Sequence, residues 1–330
     1  PAGQKQEGEP VTVTIEGGKG VGRVTKAGLD QKPGEAAINR VPRAQITRAV
    51  QEACEALSFT GSARVVIDVP EGEALAGRTF NPQLGIEGGI SILGTSGVVE
   101  PMSEAALIET IDAELRIRRA ETGTALPSAA GTAPEAGGSA GASPAPGANS
   151  RPLIITPGNY GEDFIARFPA LLALSAVKCS NFVGEALDRA VLYGFSPILL
   201  VGHAGKFVKL AGGIMNTHSR SADCRMELLS LQAALRGAPK SLLERLMACT
   251  TVDAALDELD RAAGERPAAG FNAKAVMEGI IAASQRHLAL RAEKAAAGAK
   301  KSPAVGVVMF TNSRGLLGMS PEAEKIIHSL

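Results

Sequence analysis

Residues 153–164 read LIITPGNYGEDF, and residues 197–207 read PILLVGHAGKF. Each is a short apolar run that enters a glycine-containing loop and then a stretch compatible with a helix. Apolar runs too short for a helix are the pattern of strands buried on both faces of a sheet. A third run, AVGVVMF at 304–310, enters Thr311-Asn312-Ser313-Arg314-Gly315. Between the runs, Phe182, Ala186, Leu187 and Ala190 fall on one helical face, and several helices are expected from Ala222 to Leu290. Strands alternating with helices predict a Rossmann-like α/β/α domain with a mainly parallel sheet over residues 151–330. Ligands of such sheets bind beyond the carboxyl ends of the strands, where these glycines and polar residues stand.

Ahead of this domain, residues 127–150 hold 21 Ala, Gly, Pro or Ser among 24. That composition buries too little apolar surface to offset its ordering entropy, and is read as a flexible linker. Residues 1–126 then form an α+β domain. Val11–Ile15 reads as a strand, Arg23–Thr25 as a possible returning strand, and Arg64–Val69 as another strand. Ile46, Val50, Ala53, Cys54 and Leu57 recur at helical spacing after Pro42, and Ser103 is placed to cap a helix containing Leu107, Ile108, Ile111 and Leu115.

The 330 residues balance 34 basic against 34 acidic side chains, which excludes a generic polyanion binder or a basic membrane-surface protein. Residues 151–330 carry 21 basic and 16 acidic groups, a mild bias towards an anionic ligand. Aromatics make up 3% of the chain, too few for single-strand nucleic-acid platforms. No apolar run reaches the ~18 residues of a membrane span, and PAGQKQEGEP is not a signal peptide. Cys54, Cys179, Cys224 and Cys249 are too widely spaced for a zinc site, and a reducing cytoplasm suits them.

The candidate chemistry sits at the strand ends. In Gly158-Asn159-Tyr160-Gly161-Glu162, glycines allow close backbone approach, the next helix offers free N–H groups, and Asn159 and Glu162 are placed to bond hydroxyls or an amino group. An ordinary βα turn is the plain alternative. Gly202-His203-Ala204-Gly205-Lys206 follows the same logic, with Lys206 and Lys209 either meeting anionic groups or simply solvated. Asn216-Thr217-His218 is unusually polar after an apolar run; His218 and Asp223 make an acid/base candidate pair, against a capping role for Thr217 or Ser219. His287 reads as a core or boundary histidine. GGKGVGR at 17–23 looks like a phosphate loop, but its spacing fits neither dinucleotide nor Walker patterns, so turn glycine is the better account. No metal-ligand cluster is defensible from spacing.

Longer phrases carry a resemblance. GKGVGRVTKAGLDQKPGEAAINRVP at 18–42, NPQLGIEGGISILGTSGVVEPMSEAA at 81–106, TPGNYGEDF at 156–164, CSNFVGEALDRAVLYGFSPILLVGHAGKFVKLAGGIMNTHSRSADCRME at 179–227 and FNAKAVMEGI at 271–280 resemble the CbiD family. The resemblance implies transfer of a methyl group from S-adenosylmethionine to carbon 1 of cobalt-precorrin-5B, giving cobalt-precorrin-6A, in anaerobic cobalamin biosynthesis. Cobalt then belongs to the substrate, and the protein needs no metal. Family members usually carry a preceding segment with a phrase of the type YTTGTCAAAA. The chain lacks it and is expected to begin inside the first domain, which leaves a non-catalytic, cofactor-binding remnant as the alternative.

On strand-end placement, Gly158, Asn159, Gly161, Glu162, Gly202 and Gly205 are expected to hold the cofactor. Lys206, Lys209, Asn216, Thr217 and Arg225 are expected to meet the carboxylate-rich macrocycle, and His203 or His218 to manage a proton. The family resemblance does not itself assign these roles. No nucleic-acid or membrane partner is expected, and a homo-oligomer stays open.

Overall fold

The computed structural model describes residues 11–79, 81–82, 84–93, 103–121, 152–172, 174–265, 270–296 and 303–330. The linker expected at 127–150 lies outside them. The chain divides into two compact units, Pro1–Thr124 and Ala125–Leu330.

The first unit contains β1 (Thr12–Gly17), β2 (Arg23–Val24), α1 (Arg40–Ala56), β3 (Ser62–Ile67), α2 (Gly72–Ala76), β4 (Ile86–Glu87) and α3 (Glu104–Glu121). β1 and β3 pair in parallel, with α1 between them in the chain. The strand, helix and strand expected at 11–15, after Pro42 and at 64–69 thus form a βαβ crossover. Arg23–Val24 does not return along β1; it pairs antiparallel with Ile86–Glu87. The reason lies in the glycines. A Cβ on Gly20, whose φ is +73°, would stand 1.9 Å from the Val69 carbonyl oxygen, and one on Gly72 or Gly89 would stand 2.0 or 2.2 Å from that of Gly20. Three backbones touch there, so the 17–22 glycines are packing glycines. Ser103 caps α3 as expected, its Oγ accepting from Ala106 N–H at 3.2 Å.

The second unit runs β5 (Leu153–Thr156), α4 (Asn159–Ile165), α5 (Pro169–Leu172), β6 (Ser175–Lys178), α6 (Val183–Leu192), β7 (Ile198–His203), α7 (Ala204–Phe207), a 3-10 turn (Val208–Gly212), α8 (Arg225–Ala234), α9 (Lys240–Met247), α10 (Val252–Gly264), α11 (Ala273–Ala295), β8 (Val305–Thr311), β9 (Gly315–Met319) and α12 (Pro321–His328). Its sheet has the order β6-β5-β7-β8-β9, parallel except for β9. β6 and β9 escape a reading of apolar runs: SAVK is short and GLLGM contains two glycines.

Both faces of this sheet are covered. On one, Ile154, Leu199, Val201, Val308 and Phe310 pack with Phe164 and Ile165 of α4, Leu171 of α5 and Ala323 of α12. On the other, α11 packs against β8 and β9, and a Cβ on Gly318 would lie 2.9 Å from Ile281 of α11. Burial of Leu, Ile and Val side chains at 0–2% exposure contributes about 1.5–3 kcal/mol each. The chain leaves β5 through α4 on one face and β7 through α7 towards the α11 layer on the other. The strand order reverses at this pair, and sheets of this kind bind ligands beyond the carboxyl ends of the strands at such a point.

Gly20→Ala forces a left-handed alanine into that three-backbone contact. The expected cost is about 2–4 kcal/mol in the first unit, read as faster hydrogen exchange along β1 and β3 with β5 and β7 unaffected.

Candidate functional site

The candidate site is made of four strand ends, those of β6, β5, β7 and β8. β5 ends at Thr156, whose side chain is fully buried and whose Oγ1 has no hydrogen-bond partner among the described residues. Gly158 then opens α4. A Cβ there would meet nothing within 4 Å, so this backbone is open to a ligand. Tyr160 stands 65% exposed, its ring centroid 6.2 Å from that of His203. His203 in turn meets Phe310 edge-on at 5.6 Å, and Phe310 stacks on Phe164 at 4.2 Å. A chain poor in aromatic residues gathers several here, where they hold the ends of β7, β8 and α4 together.

β6 ends at Lys178, whose Nζ donates to Glu162 Oε2 at 3.1 Å. Ser180 follows with φ of +52°, a left-handed conformation unusual for serine. Thr217 N–H donates to the Asn181 carbonyl at 2.9 Å, and Phe182 bridges Asn216. The 216–218 segment is thereby stitched to the end of β6. Lys178, Ser180 and Asn181 were missed from the sequence because the strand that positions them was missed.

The glycines expected to hold cofactor separate by environment. Gly202 is buried inside β7, and a Cβ there would stand 2.4 Å from the Phe207 ring; it is a packing glycine. Gly161 lies against Thr156, where a Cβ would fall 1.6 Å from Oγ1. Gly205 donates its N–H to His203 Nδ1 at 3.1 Å. Gly158 is the one of the four with an open side. Asn159 is exposed at the same turn, and Glu162 keeps Oε1 free beside its pair with Lys178.

The cations separate too. Lys209 is 3% exposed, and its Nζ donates to the carbonyls of Thr217 at 3.2 Å and Ala222 at 2.8 Å. It braces the loop from inside, contrary to the expectation that it meets an anionic ligand. Arg225 grips Asp223 with two bonds, Nε to Oδ1 at 2.9 Å and NH2 to Oδ2 at 2.6 Å. That grip holds the Asp223 carboxyl down at about 2. Asp223 is therefore committed to Arg225 and is no acid/base partner for His218. Lys206, partly buried, has no acidic partner among the described residues, and burial pulls its pKa down. The Cys179 thiol, fully buried, is pushed up to about 12 and is no nucleophile.

Both histidines are fixed in one tautomer. His203 Nδ1 accepts from Gly205 N–H, and His218 Nδ1 accepts from Arg220 N–H at 3.0 Å. Each neutral ring thus carries its proton on Nε2 and offers a donor. These bonds occupy Nδ1 of both rings, so any proton handling expected of His203 or His218 would run through Nε2. His287 is partly buried, beside Asp188, Met215, Arg291 and Lys294 in a groove of about 640 Å³ along α6 and α11. There the Asp188–Arg291 pair, 2.7 Å, occupies the guanidinium. Among the described residues, no three His, Cys, Asp or Glu side chains are grouped to hold a metal, the four cysteines are free, and no helix is long and apolar enough to cross a membrane.

A mainly parallel five-stranded sheet whose strand order reverses between β5 and β7 defines the second unit as an α/β domain. Residues 2–101 match the CbiD family model, and residues 216–321 match the model of the CbiD C-terminal domain. The chain is 46% identical over 241 residues to a cobalt-precorrin-5B C(1)-methyltransferase of Ruminiclostridium cellulolyticum, covering 73% of this chain and 56% of that protein. It is 35% and 36% identical over 318 residues to the proteins of that name from Citrobacter koseri and Salmonella typhimurium, covering 96% of this chain and 73% of each of theirs. The solved cobalamin biosynthesis protein (cbiD) of Archaeoglobus fulgidus is 26% identical, covering 64% of this chain and 57% of its own, with a TM-score of 0.24. The chain belongs to the CbiD family.

Gly158→Val fills the open side of its turn and Gly202→Ala strikes the Phe207 ring. The first is expected to leave thermal stability unchanged while blocking ligand, and the second to cost about 1–3 kcal/mol; ligand titration and thermal melts of both variants check this. Burial holds the His203 pKa below its ordinary 6.5, with the Asp253 charge opposing. The unfolded chain therefore binds the proton more readily, so stability is full above about pH 6.5 and falls as pH drops through the window beneath it. Urea midpoints at pH 5.5 and 7.5, compared with those of His203→Gln, read this directly; the variant is expected to show the smaller pH dependence.

Proposed function

We propose that the chain transfers a methyl group from S-adenosylmethionine to carbon 1 of cobalt-precorrin-5B, giving cobalt-precorrin-6A in cobalamin biosynthesis, with the methyl donor held at the carboxyl ends of β5 and β7 in a Rossmann-like unit. The observation that carries this is the relationship to methyltransferases of that name across most of the chain. The chain spans 56% of one such relative and 73% of two others.

The residues present fit the methyl donor. Gly158 leaves its backbone approachable, and the orphaned Thr156 Oγ1 lies beneath that turn. Tyr160 presents a ring face to a base or a cation, and Glu162 Oε1 accepts from a hydroxyl or an amino group. When bound, S-adenosylmethionine supplies a sulfonium methyl that is already a strong electrophile.

The protein's task is then to place a macrocycle carbon in line, and positioning lowers such a barrier by several kcal/mol. Lys206, which has no acidic partner among the described residues, takes a macrocycle carboxylate. The Nε2–H groups of His203 and His218 donate to polar groups on the ligands and hold them in register. Cobalt enters as part of the substrate, and the cytoplasm is the compartment that supplies both reactants.

The test is incubation with S-adenosylmethionine and cobalt-precorrin-5B, followed by mass spectrometry. Gain of one methyl group supports the reading. Binding of S-adenosylhomocysteine without transfer supports a cofactor-binding protein that has lost turnover. Lys206→Met is expected to raise KM for the macrocycle about tenfold, the value of one charge-assisted hydrogen bond, without changing KM for the methyl donor. Equal macrocycle KM values would remove Lys206 from the site.

A further inference from the structure

The turn that follows β8 at the carboxyl end of the sheet is held by α10. Thr311, 1% exposed, ends β8; its Oγ1 lies 3.2 Å from Ser313 Oγ and accepts from Arg314 N–H at 3.1 Å. Ser313 Oγ donates to Asp253, the second residue of α10. Arg314 reaches the same helix twice, to Asp257 and, at 2.6 Å, to Asp260. Asp253, Asp257 and Asp260 are spaced four and three residues apart and so share one face of α10. Asp260 also accepts from Ala273 N–H at 3.0 Å, which ties the clamp to the start of α11. α10 is anchored in turn by its buried Val252, Ala255, Leu256 and Leu259, and capped by Thr251, whose Oγ1 accepts from Ala254 N–H.

The turn so held stands beside the carboxyl end of β7. His203 pairs in register with Phe310, immediately before Thr311, and their rings meet edge-on. Surface ion pairs commonly contribute little to stability, so three carboxylates converging on one four-residue turn are an expensive way to fasten an ordinary hairpin. Their effect is to fix where the turn stands.

We propose that Asp253, Asp257 and Asp260 are positioning residues for methyl transfer, holding the Thr311–Arg314 turn through Ser313 and Arg314 as the β8 wall of the methyl-donor cleft. This rests on the placement of the methyl donor at the strand ends given above. None of the three aspartates touches a reacting atom. They act through the turn, as packing and hydrogen bonds outside a site hold its walls to a fraction of an ångström.

The experiment compares the wild-type chain with Arg314→Met, Arg314→Lys and the double variant Asp257→Asn/Asp260→Asn. Readouts are S-adenosylhomocysteine affinity, KM and kcat for methyl transfer, thermal stability, and hydrogen exchange at residues 311–315. Arg314→Met and the aspartate double variant are expected to weaken S-adenosylhomocysteine binding and raise KM for the methyl donor about tenfold, with macrocycle KM unchanged. Exchange at 311–315 rises while thermal stability stays near wild type. Arg314→Lys, which keeps the charge but loses the fork, falls between. A merely structural role would shift stability and leave the KM values together, and that result overturns the proposal, as does wild-type methyl-donor KM in Arg314→Met. If the wild-type chain binds no S-adenosylhomocysteine, the cofactor placement itself fails. The clamp is then judged on exchange alone, where wild-type protection of 311–315 in Arg314→Met overturns it.

Discussion

The pairing of β5 with β7 is the constraint on which the second unit depends. β5 lies between β6 and β7, parallel to both, and its four residues are wholly buried. A strand in that position can have no polar face, which is why LIIT reads as it does. Because the chain leaves β5 towards one face of the sheet and β7 towards the other, the loops at their carboxyl ends diverge. The Tyr160 and His203 rings, 6.2 Å apart, are where the two loops approach each other. The rest of the site follows from what stands around them.

Within the site, side chains divide between those that build it and those that face into it. Gly202 makes room for Phe207, Gly161 for Thr156, and Lys209 braces the 208–222 loop by donating to two carbonyls. Gly158, Tyr160, Lys206 and the Nε2–H of His203 are the groups that the proposed reading gives to the ligands. This division suits a reaction whose electrophile arrives ready-made. In the proposed reaction a sulfonium methyl asks for alignment, and rigid donors on interlocked strand ends would supply it. The backbone amides that occupy Nδ1 of both His203 and His218 make the same point, since they spend the basic nitrogen on orientation.

The aromatic contacts extend this rigidity inward. Phe164, Phe310 and His203 link α4, β8 and β7 beneath the site, so displacement of one strand end is felt by the others. In the first unit the corresponding economy is made with glycine. Gly20, Gly72 and Gly89 bring three backbones into contact where any side chain would clash. The run GGKGVGR therefore mimics a phosphate loop in composition while serving as a packing junction.

The sequence by itself determined apolar strands at 153–156, 197–202 and 304–310, within one residue of β5, β7 and β8, together with helices between them and polar loops at their carboxyl ends, because burial on both faces and helical spacing leave direct marks in residue order. It also determined the family, through long ordered phrases. Only the tertiary structure decided what each polar residue does. His203 and His218 offered either ring nitrogen until backbone N–H groups were found on Nδ1, and Lys209 and Arg225 read as free cations until two carbonyls and Asp223 were found on them. The strands SAVK and GLLGM, and the α10 aspartates that grip Arg314, were invisible for the same reason. A short strand exists only by its pairing, and a charged side chain takes its role from a partner that can lie more than fifty residues away. Hydrogen bonds and ion pairs are set by proximity in the fold, and proximity across such distances leaves no periodicity along the chain.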